Sequence, residues 1–160
     1  MGENDILFWF FLLYNDASGT CLARNNPQAS MNGEYKMRIL ICDDDLLIVE
    51  KLQKYLKSYF SHLHLRCPEI VCFSDGESLL ADPGDKDILF LDIEMPGLDG
   101  IYVGNELKKK EKDIIIFIIT SYSEYLDEAM RFHVFRYLSK PIDRQRLFRN
   151  LKDALHLHHS

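Results

Sequence analysis

Five short apolar runs, separated by amphipathic segments, constrain the fold of this chain more than any other feature. The runs are RILIC (38–42), EIVCF (69–73), DILFL (87–91), IIIFII (114–119) and VFRYL (134–138). Near-continuous apolar runs are typical of strands that are buried on both faces of a parallel sheet. The alternation therefore predicts an α/β domain with a doubly wound, five-stranded parallel sheet.

Helical periodicity fills the segments between the runs and follows the last of them. The sets at helical spacing are Ile48, Leu52, Tyr55, Leu56 and Tyr59; Ile101, Gly104 and Leu107; Tyr125, Ala129 and Phe132; and Leu147, Leu151 and Leu155. A shorter helix is predicted over 77–81. The acidic residues 43–45 suit the N-terminus of the first helix.

Length and charge limit the domain count and the function class. The chain has 160 residues and a net charge of −6, so it offers no basic field for holding a polyanion. We expect one domain over 37–160 and a loosely ordered extension or linker over 1–36. Met31 and Met37 are both plausible starts.

The extension contains the apolar run ILFWFFLLY (6–14). Nine residues are too few to span a bilayer, and the residues before the run are acidic rather than basic. Neither a membrane helix nor a signal peptide is therefore predicted. The alternative to a loosely ordered extension is that this run docks on the domain or on a partner.

The four cysteines, Cys21, Cys42, Cys67 and Cys72, form no C-x-x-C pair. Most lie in or beside apolar runs, which favours reduced, core-type thiols in a cytoplasmic protein. A disulfide between Cys67 and Cys72 is the alternative. The His62/His64 and His156/His158/His159 groups are interpreted as exposed helix ends without the companion ligands that a zinc site requires.

Polar groups follow four of the five predicted strands. Asp43 and Asp44 follow the first, Asp92 the third, Thr120 the fourth and Lys140 the fifth. Because the reactive site of a doubly wound sheet lies at the carboxyl ends of its strands, we expect these groups to converge. Clustered carboxylates repel one another unless a hard cation such as Mg²⁺ lies between them. Asp92 would then be the nucleophile that forms an aspartyl phosphate.

Each feature also has a simpler explanation. An acidic pair before a helix often only caps it, and a Pro-Gly turn is commonly only a turn. Thr120 could cap a helix, and Lys140 could be a solvated loop charge. Because these features all occur at the carboxyl ends of strands, a shared functional site explains them better than four separate causes.

The segments ILICDDD, LFLDIEMPGLDGI, IIIFIITSY and FRYLSKPID closely resemble the receiver domain of bacterial response regulators. The resemblance implies the flavodoxin-like fold with strand order 2-1-3-4-5. It also implies that Asp92 is the phosphoacceptor, and that Asp43, Asp44 and Asp92 hold Mg²⁺ with the backbone carbonyl of Glu94. Thr120 and Lys140 match the switch hydroxyl and the motif lysine, and Tyr137 matches the switch aromatic.

The resemblance also implies partners and an output. FRYLSKP is most like receivers of the LytTR class, whose output is a C-terminal DNA-binding domain; no such domain follows here. The chain is therefore expected to be either a fragment of a transcription factor or a stand-alone receiver acting through protein contacts. A sensor histidine kinase would donate the phosphoryl group, a homodimer could form on phosphorylation, and no membrane contact is expected. Self-catalysed phosphotransfer and slow autodephosphorylation would be its only chemistry.

Two side chains beside the site, Glu94 and Tyr122, are expected to tune the lifetime of the phosphoryl group. A haloacid-dehalogenase-type phosphatase is the rival enzyme class, but its second aspartate would fall where Glu94 stands. An interaction module that has lost phosphorylation is the other rival.

Overall fold

The computed structural model describes residues 36–122, 131 and 133–159. The predicted helix marked by Tyr125, Ala129 and Phe132 lies outside the described residues, as do Cys21 and the apolar run at 6–14.

Strands and helices alternate along the described part of the chain. In order they are β1 Arg38–Cys42, α1 Leu46–His62, β2 Glu69–Phe73, α2 Gly76–Ala81, β3 Ile88–Leu91, α3 Gly100–Lys110, β4 Ile115–Thr120, β5 Arg136–Ser139 and α4 Arg144–His159. The strands form one parallel sheet of order β2-β1-β3-β4-β5. The predicted fold class and strand order are confirmed.

The predicted strand limits differ from the observed ones mainly at β5. The predicted strand includes Val134 and Phe135, but β5 begins at Arg136, which pairs with Phe117. Val134 is instead buried before the strand begins. Apolar character alone predicted burial correctly here, and it placed the start of the ladder two residues too early.

The core lies on both faces of the sheet because successive residues of a strand point to opposite sides. On one face, Ile39 and Ile41 pack with Phe90, Phe117 and the apolar sides of α1 and α4. The rings of Phe90 and Phe117 stack with their centroids 4.7 Å apart. On the other face, alternate residues of the same strands pack against α2 and α3. Burial on both sides explains the unbroken apolar runs.

Aspartates cap the four helices that the structure describes, with Asp143 in this role at the start of α4. The side chains of Asp45, Asp75 and Asp99 accept hydrogen bonds from backbone N–H groups in the first turns of α1, α2 and α3. Such caps contribute about 1 kcal/mol each. The capping explanation therefore holds for Asp45, which leaves Asp43 and Asp44 to be accounted for.

A network of charges closes the amino end of the sheet. The Arg38 guanidinium bonds to the Asp82 carboxylate at 3.0 Å, and its backbone N–H donates to Asp87 at 2.8 Å. The half-buried Asp82 carboxylate also contacts buried Lys86, whose Nζ lies 3.4 Å from it. The amino ends of β1 and β3 are therefore held by structural ion pairs, and the polar groups predicted to form a site lie at the carboxyl ends of the strands.

Two sequence interpretations are corrected by side-chain burial. The sequence predicts that His158 lies at an exposed helix end, but it is buried, with Nε2 3.7 Å from Asp87 Oδ1. It lies three residues after buried Leu155, on the apolar side of α4. Cys42 is a core thiol as expected, whereas Cys72 is exposed and Cys67 is half-buried; all three are free thiols, so the alternative of a Cys67–Cys72 disulfide is not adopted. Within the described ranges, every helix falls short of the length or the apolar character that crossing a bilayer requires.

Candidate functional site

The carboxyl ends of four strands bring the predicted polar residues to one edge of the sheet. Backbone hydrogen bonds fix their positions: the Asp92 N–H donates to the Cys42 carbonyl at 2.9 Å, and the Lys140 N–H donates to the Thr120 carbonyl at 3.0 Å. The Asp43 N–H donates to the Phe73 carbonyl at 3.1 Å. The sheet itself therefore holds the backbone of the site.

Three carboxylates form the acidic part of this cleft. Asp43 and Asp92 are buried, with 1% and 5% of their surfaces exposed, and Asp44 is exposed. One oxygen from each lies within 4.8 Å of the other two. This is the one such group of potential metal ligands in the described part of the chain. A set made only of carboxylate oxygens suits a hard divalent cation such as Mg²⁺.

Lys140 supplies a positive charge to the same cleft. Its Nζ lies 2.9 Å from Asp43 Oδ2 and 3.5 Å from Asp92 Oδ2. Burial lowers the pKa of Lys140, but its contacts with the two carboxylates outweigh burial and raise that pKa overall. The lysine is therefore charged, yet one ammonium faces three carboxylates. The remaining negative charge is what a bound cation would offset.

The Asp92 carboxylate is held in an unfavourable environment for its charge. Burial, reinforced by repulsion from Asp43, raises the pKa of Asp92 to about 6. Lys140 and the backbone N–H of Glu94 act in the opposite direction without cancelling the effect. A shifted carboxyl group in a cleft with a specific charge partner is typical of a functional site.

This shift predicts that Asp92→Asn stabilises the metal-free protein at neutral pH. An aspartate has a pKa of about 3.9 in an unfolded chain. The folded state of the parent therefore loses stability as pH rises from about 4 to about 6, because the native carboxyl group must then ionise against its environment. Because the cleft is open to water at Asp44, we expect a gain of about 1–2 kcal/mol rather than the full shift. Urea unfolding with a chelator present, at pH 4 and pH 7.5, measures it.

The gain should be smaller at pH 4 than at pH 7.5, and it should shrink when Mg²⁺ is added to the parent. A gain that is equal at both pH values would contradict the assignment to Asp92 ionisation.

A tight turn follows Asp92 and depends on two glycines. Gly97 has a φ of +83°, a conformation that side chains disfavour. The Gly100 N–H donates to the Ile93 carbonyl at 2.9 Å, and a Cβ at Gly100 would lie 2.2 Å from the Asp92 carbonyl oxygen. Gly100 thus lets α3 begin against the backbone of Asp92. The motif LFLDIEMPGLDGI contains Gly100, but the sequence alone predicts no role for this glycine.

The remaining predicted residues surround the ends of β4 and β5. Thr120 is buried, and its Oγ1 accepts a hydrogen bond from the Tyr122 N–H at 3.3 Å. The hydroxyl of half-buried Tyr137 donates to the Tyr122 carbonyl at 3.0 Å. The Tyr122 side chain is 43% exposed. Glu94 is exposed, and its contact with Asp92 is through its backbone N–H.

A sequence model of the family described as "Response regulator receiver domain" matches residues 39–152. The chain belongs to this family. The receiver is similar to Sensory transduction protein LytT of Bacillus subtilis (strain 168), with 29% identity over 116 residues, 72% of this chain and 47% of LytT. It is 35% identical over 118 residues to Transcriptional regulatory protein BtsR of Escherichia coli (strain K12), which covers 72% of this chain and 46% of BtsR.

The Positive alginate biosynthesis regulatory protein of Pseudomonas aeruginosa is 34% identical over 120 residues, 74% of this chain and 47% of that protein. The predicted resemblance to LytTR-type regulators is confirmed by these relatives. The receiver chain spans about half the length of the curated relatives it matches.

Solved receiver structures share the fold. The response regulator TrrA from Thermotoga maritima, in complex with Mg²⁺-BeF, has a TM-score of 0.64 and 32% identity, covering 74% of this chain and 98% of TrrA. The response regulatory domain of mrkE from Klebsiella pneumoniae has a TM-score of 0.68 and 25% identity, covering 76% of this chain and 98% of that domain.

Proposed function

We propose that this receiver is a phosphorylation-dependent switch of a two-component system, with Asp92 as the acceptor of a phosphoryl group. The observation that carries the proposal is the position of buried Asp92, with carboxylates of Asp43 and Asp44 on one side and the Lys140 ammonium 3.5 Å away. An aspartate at a strand end, beside a cation that can stabilise a transferring phosphoryl group, is suited to act as a nucleophile.

Asp43, Asp44 and Asp92 would hold Mg²⁺, and the backbone carbonyl of Glu94 would add a fourth ligand. Bound there, the ion would offset negative charge on the transferring phosphoryl group. The TrrA structure, described as a complex with Mg²⁺-BeF, supports this assignment by similarity.

The phosphoryl donor would be a phosphohistidine of a sensor histidine kinase. A carboxylate oxygen of Asp92 forms the new P–O bond as the P–N bond of the donor breaks, and the imidazole leaves. Lys140, already directed at Asp92, pairs with one phosphoryl oxygen. The Thr120 hydroxyl donates a hydrogen bond to another.

Tyr137 would transmit the effect of phosphorylation from the site to the surface of the domain. When Thr120 moves toward the phosphoryl group, its contact with the Tyr122 N–H is lost, and the loop that accepts the Tyr137 hydroxyl shifts with it. Tyr137 can then change rotamer and alter the surface formed by β5 and α4. One or two charge-assisted hydrogen bonds bias such an equilibrium by about 3 kcal/mol, so some active-like population exists without phosphate.

The proposed output is transcription through a LytTR-type DNA-binding domain outside this chain, in the cytoplasm. A homodimer formed on phosphorylation is the proposed form of the active receiver. The names of LytT and BtsR support a regulatory output by similarity. The second candidate is a stand-alone receiver that acts through protein contacts.

Incubation with acetyl phosphate tests the proposal. With Mg²⁺, we expect intact mass spectrometry to show one phosphoryl group per chain, removable by hydroxylamine, and no labelling when a chelator is present. A chain that stays unlabelled would contradict the proposal. Turnover of phosphate esters in large excess over protein would instead indicate the haloacid-dehalogenase-type phosphatase.

Tyr122→Ala is predicted to shorten the life of the phosphorylated form. The Tyr122 side chain is partly exposed two residues after Thr120, where its ring can hinder the approach of water to phosphorus. Its backbone contacts with Thr120 and Tyr137 do not need the ring. Decay of the labelled protein, followed by mass spectrometry, should be several-fold faster than in the parent, whereas Tyr122→Phe should leave the rate unchanged. An equal decay rate in the alanine variant would remove the idea.

A further inference from the structure

A groove of about 460 Å³ lies at the amino end of the sheet, away from the cleft that contains Asp92. It runs between the carboxyl end of α3, the amino ends of β4 and β5, and the last turns of α4. Half-buried Phe135 and Leu157, which is 52% exposed, give it an apolar surface. Its volume is in the range of clefts that accept a small ligand or a few side chains. We call it the amino-end groove.

The rim of the amino-end groove is basic although the chain as a whole is acidic. Lys108, Lys112 and Arg136 line it together with one carboxylate, Asp113. The Arg136 guanidinium lies over the Phe135 ring, 4.5 Å from its centroid. A groove with an apolar floor and a positive rim, in a chain with a net charge of −6, favours an apolar segment with acidic flanks.

The chain itself contains such a segment. Residues 6–14, ILFWFFLLY, are flanked by Glu3 and Asp5 on one side and Asp16 on the other, with no Lys or Arg among residues 1–16. A run of this kind exposed to water promotes association. We propose that residues 6–14 dock intramolecularly in the amino-end groove, with the flanking carboxylates near its basic rim.

The geometry of the sheet allows this contact. Chain 15–36 leads into β1, which begins at Arg38, so the extension joins the domain at the same end of the sheet as the groove. From β1 to β4 and β5 is two to three strand spacings, about 10–15 Å. A random-coil chain of this length has an end-to-end distance of about 25 Å, so the sequence between the two segments is long enough for the contact. The linker also gives the segment a high effective concentration at the groove, which a separate partner would have to match.

Trp9 makes the proposal directly measurable because it is the only tryptophan in the chain. In the 160-residue chain we expect blue-shifted Trp9 emission and protection from iodide quenching. Lys112→Glu and Leu157→Asp should each shift the emission to longer wavelength and reduce that protection. Lys110→Glu is the matched control, since Lys110 is exposed at the end of α3 and does not line the groove.

Charge exchange provides the second measurement. Glu3→Lys with Asp5→Lys should reduce protection in the parent background and restore it in the Lys112→Glu background. Labelling by acetyl phosphate should persist in all these variants. Persistent labelling would show that the variants are folded. The proposal fails if Trp9 is exposed in the parent, or if the groove variants leave its emission and quenching unchanged.

Other occupants are separate outcomes of the same experiment. Protection that rises with protein concentration and accompanies a dimer in sedimentation would place the segment on a second copy and overturn intramolecular docking. A blue shift that occurs only when phosphatidylcholine vesicles are added would assign the segment to a lipid surface and overturn it as well.

Discussion

Asp92→Asn is expected to abolish stable labelling by acetyl phosphate in the presence of Mg²⁺, the largest functional effect available to a single substitution in this receiver. The amide keeps the size of the side chain but removes the nucleophilic oxygen charge. Because burial and Asp43 disfavour a charge at this position, the variant should also fold at least as well as the parent. Intact mass spectrometry after incubation with acetyl phosphate measures the loss.

Asp99→Asn is the matched control. Asp99 lies in the same loop after β3 but caps α3, and asparagine caps a helix about as well as aspartate. It should label like the parent. Equal labelling of Asp92→Asn and the parent would show that the phosphoryl group is carried elsewhere, and the proposed function would have to be abandoned.

Gly100→Ala is expected to produce the largest loss of stability, about 3 kcal/mol or more. The added Cβ would lie 2.2 Å from the Asp92 carbonyl oxygen and 2.7 Å from the Ile93 Cα. Both neighbours are backbone, so relief requires moving either the start of α3 or the strand end that carries Asp92. Urea unfolding monitored by circular dichroism measures the free energy of unfolding.

Gly84→Ala gives the contrast for this prediction. A Cβ at Gly84 would meet the end of the Arg38 side chain, which can move at the expense of its contact with Asp82. We expect a smaller loss there. If Gly100→Ala unfolds at the same urea concentration as the parent, the close approach of α3 to Asp92 is wrong.

Much of the fold could be predicted because the buried strands have a strong sequence signal. β1, β3 and β4 are covered on both faces, so their residues read as unbroken apolar runs. β5 was misplaced at its start because Val134 is buried before the ladder begins. The spacing of His158 from Leu155 indicates that it lies on the buried side of α4. Treating the three C-terminal histidines as one exposed group hides this signal.

The candidate site could be predicted in its membership but not in its contacts. Parallel topology alone brings Asp43, Asp92 and Lys140 to one edge of the sheet. Lys140 lies closer to Asp43 than to Asp92 because of its side-chain conformation, which the spacing of residues in the sequence does not determine. The hydrogen bond from the Tyr137 hydroxyl to the Tyr122 carbonyl is likewise a matter of rotamer and loop shape. The need for glycine at position 100 follows only from the path of the backbone.

The ammonium of Lys140 between two buried aspartates acts as a resident counter-ion for the resting receiver. Under the proposed function, removal of Mg²⁺ is expected to stop phosphotransfer, whereas the contacts of Lys140 still offset part of the carboxylate charge and should keep the metal-free protein folded. A cell depleted of magnesium would then contain folded but unphosphorylated protein, which could be phosphorylated again when the ion returns.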